Sequence, residues 1–304
     1  MIDDLALAFD PKSLILLNGA LALVMYGVAL DLRFEDLLAL AKDPRAPLVG
    51  LLCQCVLLPA LAYPVALVFV DQPSIALGLI LVAACPGGNL SNVLTQVAGG
   101  RLSVSVGMSG ASTLAATFTT PFHLAFWGGL HPATQELVKD VALDPRQVMV
   151  AVFLVLGLPC VLGMATAKRF PALAERMRRP MRVFALVFLA AVILLAILAN
   201  REALPEALAS VFIPVALLHA AAAALGYGAS RLAGLPDAER RAVTIEVSIQ
   251  NTALGLGLVF TFFDGLGGMA AVAAWWGLWH LMAGGALAAW WSRHPPEVAE
   301  AAAA

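Results

Sequence analysis

A polar run interrupts apolar sequence around residue 246. The run reads Glu246-Val247-Ser248-Ile249-Gln250-Asn251 and lies between two apolar stretches, 242–245 and 253–263. Burying a charged carboxylate in membrane hydrocarbon costs about 2.5–3.5 kcal/mol on insertion scales. Glu246 is therefore expected to face a protein interior or cavity, accompanied by other polar groups. No Lys or Arg lies within an apolar stretch, so a buried ion pair is not the expected solution.

A second polar run occurs upstream, in residues 85–92. It reads Cys85-Pro86-Gly87-Gly88-Asn89-Leu90-Ser91-Asn92 and separates the apolar stretches 75–84 and 93–98. Pro86 lacks a backbone donor and the glycines loosen a helix, so this run predicts a helix break. The plainer alternative is a loop between two short helices. Two such breaks in corresponding parts of a chain are typical of a transporter binding site.

Other polar side chains lie within predicted helices. Gln54 precedes Pro59, and Ser105 and Ser109 are one helical turn apart and so share a face. Interhelical hydrogen bonding and small-residue packing are the alternative explanations for them. One carboxylate, several amides and hydroxyls, and carbonyls freed by helix breaks form a ligand set that hard cations prefer. Because the set carries so little negative charge, it favours sodium over a divalent ion.

The composition predicts an all-α polytopic membrane protein. The 304 residues are 61% hydrophobic and 12% charged, unlike a soluble or disordered chain. We expect nine transmembrane helices, since several apolar runs reach the roughly 20 residues that a bilayer helix needs. The predicted spans are 13–32, 45–70, 74–98, 102–127, 146–168, 181–199, 205–231, 237–263 and 267–292. The net charge of −2 argues against a nucleic-acid partner, and no obligate protein partner is indicated. The four cysteines lie in apolar stretches, so we expect free thiols packed in the interior rather than disulfides.

Basic residues predict how the chain crosses the membrane. With nine spans, 14 of the 18 Lys and Arg residues fall on one side, which the positive-inside rule makes cytoplasmic. The N-terminus, 1–12, is then outside and the tail, 293–304, inside. The broken spans are third and eighth, and an odd offset inverts a helix in the membrane. We therefore expect an inverted five-helix repeat whose first copy, 13–127, lacks its opening helix, a connecting loop at 128–145, and a complete second copy at 146–292.

These polar runs belong to an ordered series of motifs that resembles the bile acid:sodium symporter family. The resemblance covers about residues 16–292. The matching residues are Gln54 with Pro59-Ala60, the run from Cys85 to Val93, Ser112-Thr113-Leu114, Thr120-Pro121, Gly234-Leu235-Pro236, Thr244 to Val247, Gln250-Asn251 and Trp279-His280. It implies two discontinuous, crossing helices within a core domain, 45–127 and 205–292, beside a panel of helices, 13–32 and 146–199.

The resemblance also implies two sodium sites behind the crossing. One would use Ser91, Asn92, Ser105, Ser109 and Glu246; the other would use Gln54, Glu246, Gln250 and the carbonyls of Val247 and Ile249. Asn89 and Asn251 would face the substrate, and His280 is a weaker candidate. Asn89 stands where some bacterial relatives have threonine, which leaves the substrate's identity open.

The sequence thus predicts a secondary transporter of a bacterial cytoplasmic membrane. It would couple inward sodium flow to uptake of an organic anion, bile-acid-like or a small carboxylate, by alternating access. A carrier coupled to protons through Glu246 is one alternative, and a passive channel is another. An intramembrane enzyme is not expected, because the chain lacks a His-Glu-x-x-His or Gly-x-Ser-x-Gly motif and paired aspartates within its spans.

Overall fold

The computed structural model describes residues 11–32, 42–69, 71–141, 153–199 and 204–296. Its regular elements within these ranges are helices, joined at one point by an isolated β-bridge. The helices are α1 (Pro11–Ala29), α2 (Arg45–Leu67), α3 (Pro73–Ala84), α4 (Asn89–Val97), α5 (Leu102–His123), α6 (Gln135–Val141), α7 (Leu158–Arg169), α8 (Pro171–Ala199), α9 (Leu204–Leu232), α10 (Asp237–Ser248), α11 (Thr252–Phe262) and α12 (Gly267–Ser292).

Three helical stretches contain a wider, π-helical turn. These turns are Cys53–Leu57 within α2, Leu124–Gly128 after α5, and Phe153–Gly157 before α7. A π turn leaves the ordinary ladder of backbone bonds locally mismatched, and such turns frequently lie at functional sites. The turn in α2 contains Gln54.

Most of the predicted spans coincide with helices, but two predicted loops contain helix. The loop predicted at 169–180 is the beginning of α8, which starts at Pro171. Its residues are mostly Ala, Leu, Glu, Met and Arg, all good helix formers, so the helix continues past the apolar stretch. The loop predicted at 128–145 contains α6, whose end is followed by residues outside the described ranges. The predicted tail 293–304 is described only to Pro296.

The outer surface of the bundle is apolar. Large hydrophobic side chains on several helices are more than half exposed, which is typical of a surface that contacts lipid rather than water. Examples are Leu48 and Leu52 on α2, Phe118 and Phe122 on α5, Val161 and Leu162 on α7, Val183 and Val187 on α8, and Ile213 and Leu217 on α9. Within the described ranges, two helices, Arg45–Leu67 and Leu208–Leu232, are long and apolar enough to cross a membrane by length and composition alone.

The interior is organised around α3, which is buried on all sides from Ser74 to Ala84. It packs against α12 and the second half of α2. Close approach of α12 depends on Gly78, because a Cβ there would lie 2.9 Å from the Cα of Met269. With α3 buried in this way, the break that follows it is held at the centre of the molecule.

Candidate functional site

Both polar runs interrupt helix, and their backbones meet at a contact referred to below as the crossing. The chain is extended between α3 and α4 and again between α10 and α11. Gly87 and Gln250 form an antiparallel β-bridge, and the Asn251 amide donates to the Pro86 carbonyl at 2.9 Å. The backbone of each break is therefore hydrogen-bonded to that of the other.

Glu246 lies one turn before the second break and is fully buried. Its carboxylate accepts hydrogen bonds from three serines: Ser91 at 2.5 Å, Ser109 at 2.6 Å and Ser105 at 2.8 Å. Ser91 belongs to α4, whereas Ser105 and Ser109 project from one face of α5. The α4, α5 and α10 helices thus meet at a single carboxylate.

The hydrogen-bond acceptors around Glu246 outnumber the hydroxyl protons that can be donated to them. Ser91 also lies 2.7 Å from the Gly88 carbonyl, and Ser105 lies 2.8 Å from Asn92 Oδ1. A hydroxyl has one proton, so neither serine can satisfy both of its acceptors at once. The five predicted residues of the first site, Ser91, Asn92, Ser105, Ser109 and Glu246, are all present in this cluster. An excess of oxygen acceptors around one negative charge is an environment that a hard cation fits.

Gly87 allows the first break to reach the carboxylate. A Cβ at this position would overlap Glu246 Oε1 and lie 2.9 Å from Glu246 Cδ. At the adjacent Gly88 the nearest atom to a Cβ would be the Gln250 carbonyl oxygen, at 3.4 Å. From the sequence, both glycines were predicted only to loosen the helix. The Gly-Gly pair was the available signal, but nothing in it distinguishes a close contact from a loosened backbone.

The second predicted set of residues forms a hydrogen-bonded chain. Gln250 Nε2 donates to the Val247 carbonyl at 2.9 Å, and Gln54 Nε2 donates to Gln250 Oε1 at 2.6 Å. Gln54 Nε2 also donates to the Cys85 carbonyl at 3.1 Å. The hydrogen bonds of Glu246 described above go to the serines of the first set, and Ile249 lies in the extended segment between Val247 and Gln250.

This chain leaves the Gln54 side-chain oxygen unsatisfied. Val247 and Cys85 offer carbonyls that only accept, so both amide groups must point their nitrogens toward them. Gln54 Oε1 then has no hydrogen-bond partner, although Gln54 is only 2% exposed. An unpaired buried acceptor costs about 1–3 kcal/mol, a penalty that a bound cation would remove. Gln54 therefore fits the sodium ligand that the sequence predicted.

His123 supports the turn that carries Gln54, and the sequence analysis did not predict it. The imidazole Nε2 lies 2.7 Å from the Cys55 carbonyl, and the His123 side chain is only 6% exposed. A carbonyl cannot donate, so His123 supplies the proton to a carbonyl of the π turn. The residue lies 68 positions away from Cys55, and no local spacing indicated the contact.

The three predicted substrate residues occupy different surroundings. Asn89 begins α4 and is partly exposed, whereas Asn251 caps α11 by accepting from the Leu254 amide at 3.1 Å. His280 lies on α12 and is 6% exposed, and its Nδ1 has no hydrogen-bond partner. The flanking glycines of the same helix approach the second break, since a Cβ on Gly277 would lie 3.0 Å from Thr252 Oγ1 and one on Gly284 would lie 2.9 Å from Ile249. Asn89 and Asn251 are thus at the crossing, and His280 is on the helix that packs beside it.

Comparison with known proteins identifies the family. The model of the Sodium Bile acid symporter family matches residues 19–207. Similar proteins include the sodium-dependent transporter YocS of Bacillus subtilis, 26% identical over 90% of this chain and 82% of that protein. Others are probable chloroplastic sodium/metabolite cotransporters: BASS1 of Arabidopsis thaliana, 31% identical over 92% of this chain and 67% of its own length, and BASS2 of Oryza sativa, 32% identical over 79% and 55%. The chain spans about half the length of the rice relative. With most of its length matched by the family model and by these relatives, the chain belongs to the Sodium Bile acid symporter family.

Proposed function

We propose that this protein is a membrane transporter that couples inward sodium flow to uptake of an organic anion. The observation that carries this proposal is the buried cluster at Glu246, which has one negative charge and more oxygen acceptors than protons. The printed names of the relatives, which describe sodium-dependent transport and sodium/metabolite cotransport, agree with it. Such a carrier would be no enzyme, because it moves its substrates unchanged.

Two sodium ions would bind behind the crossing. The first would bind beside Glu246 after the serine hydroxyls rotate their protons away. The ion would then be coordinated by the side-chain oxygens of Ser91, Asn92, Ser105 and Ser109. The second would bind Gln54 Oε1, which has no partner, together with Gln250, Glu246 and the carbonyls of Val247 and Ile249. Gln250 Oε1 already accepts from Gln54 Nε2, so the second ion would share that oxygen with an existing hydrogen bond.

Charge balance suggests the class of substrate. Two sodium ions and Glu246 together carry one net positive charge, which a cavity between low-dielectric walls disfavours. An organic anion with a single carboxylate or sulfonate would bring the sum to zero. Asn89 and Asn251 would contact it beside the N-termini of α4 and α11, where helix dipoles favour negative charge. His280 would line the same cavity.

Alternating access would come from movement between a panel and a core. We propose that α1, α7 and α8, which pack against one another, form the panel, and that α2–α5 and α9–α12 form the core. The positions of the two broken helices, third and eighth among the nine proposed spans, support an inverted repeat, because an odd offset inverts a helix in the membrane. In this arrangement the chain crosses the membrane nine times.

The proposed orientation places the N-terminus outside and the C-terminus inside a bacterial cytoplasmic membrane. Cysteine substitutions on a cysteine-free background would test it. A thiol at Asp71, between α2 and α3, should react with an impermeant reagent added outside, and one at Arg176 on α8 should react only from inside. The reverse pattern would overturn the span count or its orientation.

Uptake into proteoliposomes would test the function. Labelled organic monoanions should accumulate when an inward sodium gradient is imposed and should not accumulate with potassium in its place. If both sodium ions accompany one monoanion, uptake should carry one net positive charge inward and appear as current. Accumulation driven equally well by a pH gradient alone would indicate proton coupling through Glu246. Equilibration without accumulation would indicate a channel.

A further inference from the structure

Thr95 has a buried hydroxyl that the proposed sodium sites do not explain. It lies on α4 one turn beyond Ser91, its side chain is fully buried, and its Oγ1 has no hydrogen-bond partner. An unpaired buried hydroxyl is a cost that native proteins usually avoid, for example by replacing threonine with valine. The position of Thr95 between Glu246 and one end of the core suggests what this hydroxyl contributes.

Polar side chains continue from the Glu246 cluster toward that end on three helices. Seven residues before Glu246, α10 presents Glu239 on the same face, about 10 Å away along the helix. Four residues before Ser105, at the start of α5, is Arg101. A Cβ placed on Gly100 would lie 2.8 Å from Thr95 Cγ2 and 3.2 Å from the Ala242 amide nitrogen. Thr95 is therefore packed beside the stretch of α10 that joins Glu239 to Glu246.

The turn 99–101 closes this row at its far end. The Arg101 amide donates to the Ala238 carbonyl at 2.8 Å, which holds the turn against α10. The Arg101 guanidinium bonds Glu239 at 2.5 Å and Asp43 at 2.6 Å. Hydrogen bonds to Asp43 and then to Glu239 raise the pKa of Arg101 above its ordinary value. Glu239 is only 8% exposed, and its carboxylate is paired with Arg101.

We propose that Thr95 and Glu239 form a transient sodium position on a route from the Glu246 site to the cytoplasmic end of the core, and that Arg101 closes this route. A sodium ion leaving Glu246 would pass the Thr95 hydroxyl and reach the Glu239 carboxylate when Arg101 moves to Asp43 alone. Arg101 and sodium would then compete for the same carboxylate. The inference rests on the proposed function, because it concerns the exit of the ion that drives transport.

Sodium exchange by the reconstituted full chain tests the route. Proteoliposomes loaded with ²²Na⁺ would be diluted into unlabelled sodium without organic substrate, and the rate of tracer loss measured. Equilibrium sodium affinity would be measured separately, as the sodium-dependent rise in melting temperature of the purified protein. Thr95→Val, which removes only the hydroxyl, should slow exchange about tenfold and leave affinity unchanged, as expected for a stabilising oxygen lost from the path.

Two variants of the ion pair separate a sodium position from a structural contact. Arg101→Gln should accelerate exchange about tenfold because it opens the route and leaves Glu239 available. Glu239→Gln breaks the same ion pair but also removes the carboxylate, so it should not accelerate exchange. Equal acceleration by both variants would overturn the sodium position and leave only a closing contact.

The matched control is Thr244→Val. Thr244 is also a buried threonine, but its hydroxyl donates to the Arg240 carbonyl within α10, away from the proposed route. Exchange by this variant should equal that of the wild type. Wild-type protein without sodium binding or sodium-driven uptake would overturn the proposed function itself. Normal sodium coupling with unchanged exchange in Thr95→Val and Arg101→Gln would overturn the route alone.

Discussion

The serine–carboxylate set around Glu246 and the glutamine set around Gln54 meet at the same crossing but are satisfied in different ways. In the first, three hydroxyls surround one carboxylate and each donates a hydrogen bond to it. In the second, two amides bond each other and two backbone carbonyls, leaving one oxygen unpaired. A cation entering the first set meets a charged carboxylate once the hydroxyl protons have rotated away, whereas one entering the second meets amide oxygens, of which one is already hydrogen-bonded. The two sets therefore predict unequal sodium affinities, with the serine–carboxylate set filled first.

The largest effect is expected from Glu246→Gln. This change removes the charge that both sets would share, and sodium-driven uptake should fall by more than about 100-fold, since hydrogen bonds and ligands at a charged group are the strongest present. The protein should still fold, because burying an amide costs less than burying a carboxylate. Uptake across a range of sodium concentrations, together with size-exclusion chromatography, provides the measurement. Ser248→Ala is the control, since that hydroxyl bonds only its own helix. Wild-type sodium dependence in Glu246→Gln would exclude both sets as sodium sites.

The next largest effect should come from Gly87→Ala compared with Gly88→Ala. A methyl group on Gly87 overlaps the Glu246 carboxylate, whereas one on Gly88 has its nearest neighbour at 3.4 Å. Inserting a methyl group into a packed site costs about 1–3 kcal/mol, so sodium affinity should fall roughly 30-fold in Gly87→Ala. Gly88→Ala should remain within a few-fold of the wild type. Sodium-dependent melting temperatures would measure both. Similar losses in the two variants would mean that backbone freedom, rather than contact with Glu246, accounts for the glycines.

Gln54→Met sharpens the comparison between the sets. This near-isosteric change removes the unpaired oxygen but leaves the serines untouched, so sodium affinity of the weaker site should fall about tenfold, the effect of one lost oxygen ligand. The sodium dependence of uptake should become less cooperative, with a Hill coefficient approaching one. Ser109→Ala should instead weaken the first ion bound. A single, identical loss of affinity in both variants would argue for one shared sodium site.

The smallest effect is predicted for His123→Leu. Loss of the bond to the Cys55 carbonyl leaves that carbonyl unpaired and relaxes the turn that positions Gln54, which should shift only the weaker sodium affinity, by about threefold. Phe122→Leu is the neighbouring control, because Phe122 is 58% exposed on the outer surface. Equal shifts in both sodium affinities would contradict a role confined to the glutamine set.

Sequence reasoning located the breaks and the residues that surround Glu246, because polar atoms in apolar sequence must find partners nearby. The grouping of those residues into one cluster came from the family resemblance, and the structure brings all five together. Contacts that depend on three-dimensional approach were not predictable. Neither Gly87 against Glu246 nor His123 at the Cys55 carbonyl follows from composition or spacing. The early start of α8 was missed because helix was equated with apolarity, although Arg and Glu also favour helices.

The crossing itself is held by main-chain atoms. The bridge between Gly87 and Gln250 and the bond from the Asn251 amide to Pro86 use no side chain of the residues proposed to meet the substrate. The N-terminus of α4, which begins at Asn89, has no side-chain capping hydrogen bond. Asn251 caps α11, but Ser, Thr or Asp can also cap a helix in this way. Replacements at these two positions would therefore leave the architecture intact while changing what the pocket recognises. Under the proposed function, Asn89 and Asn251 are therefore the first positions to randomise when testing what determines the substrate, because the main-chain contacts would hold the two breaks together in every variant.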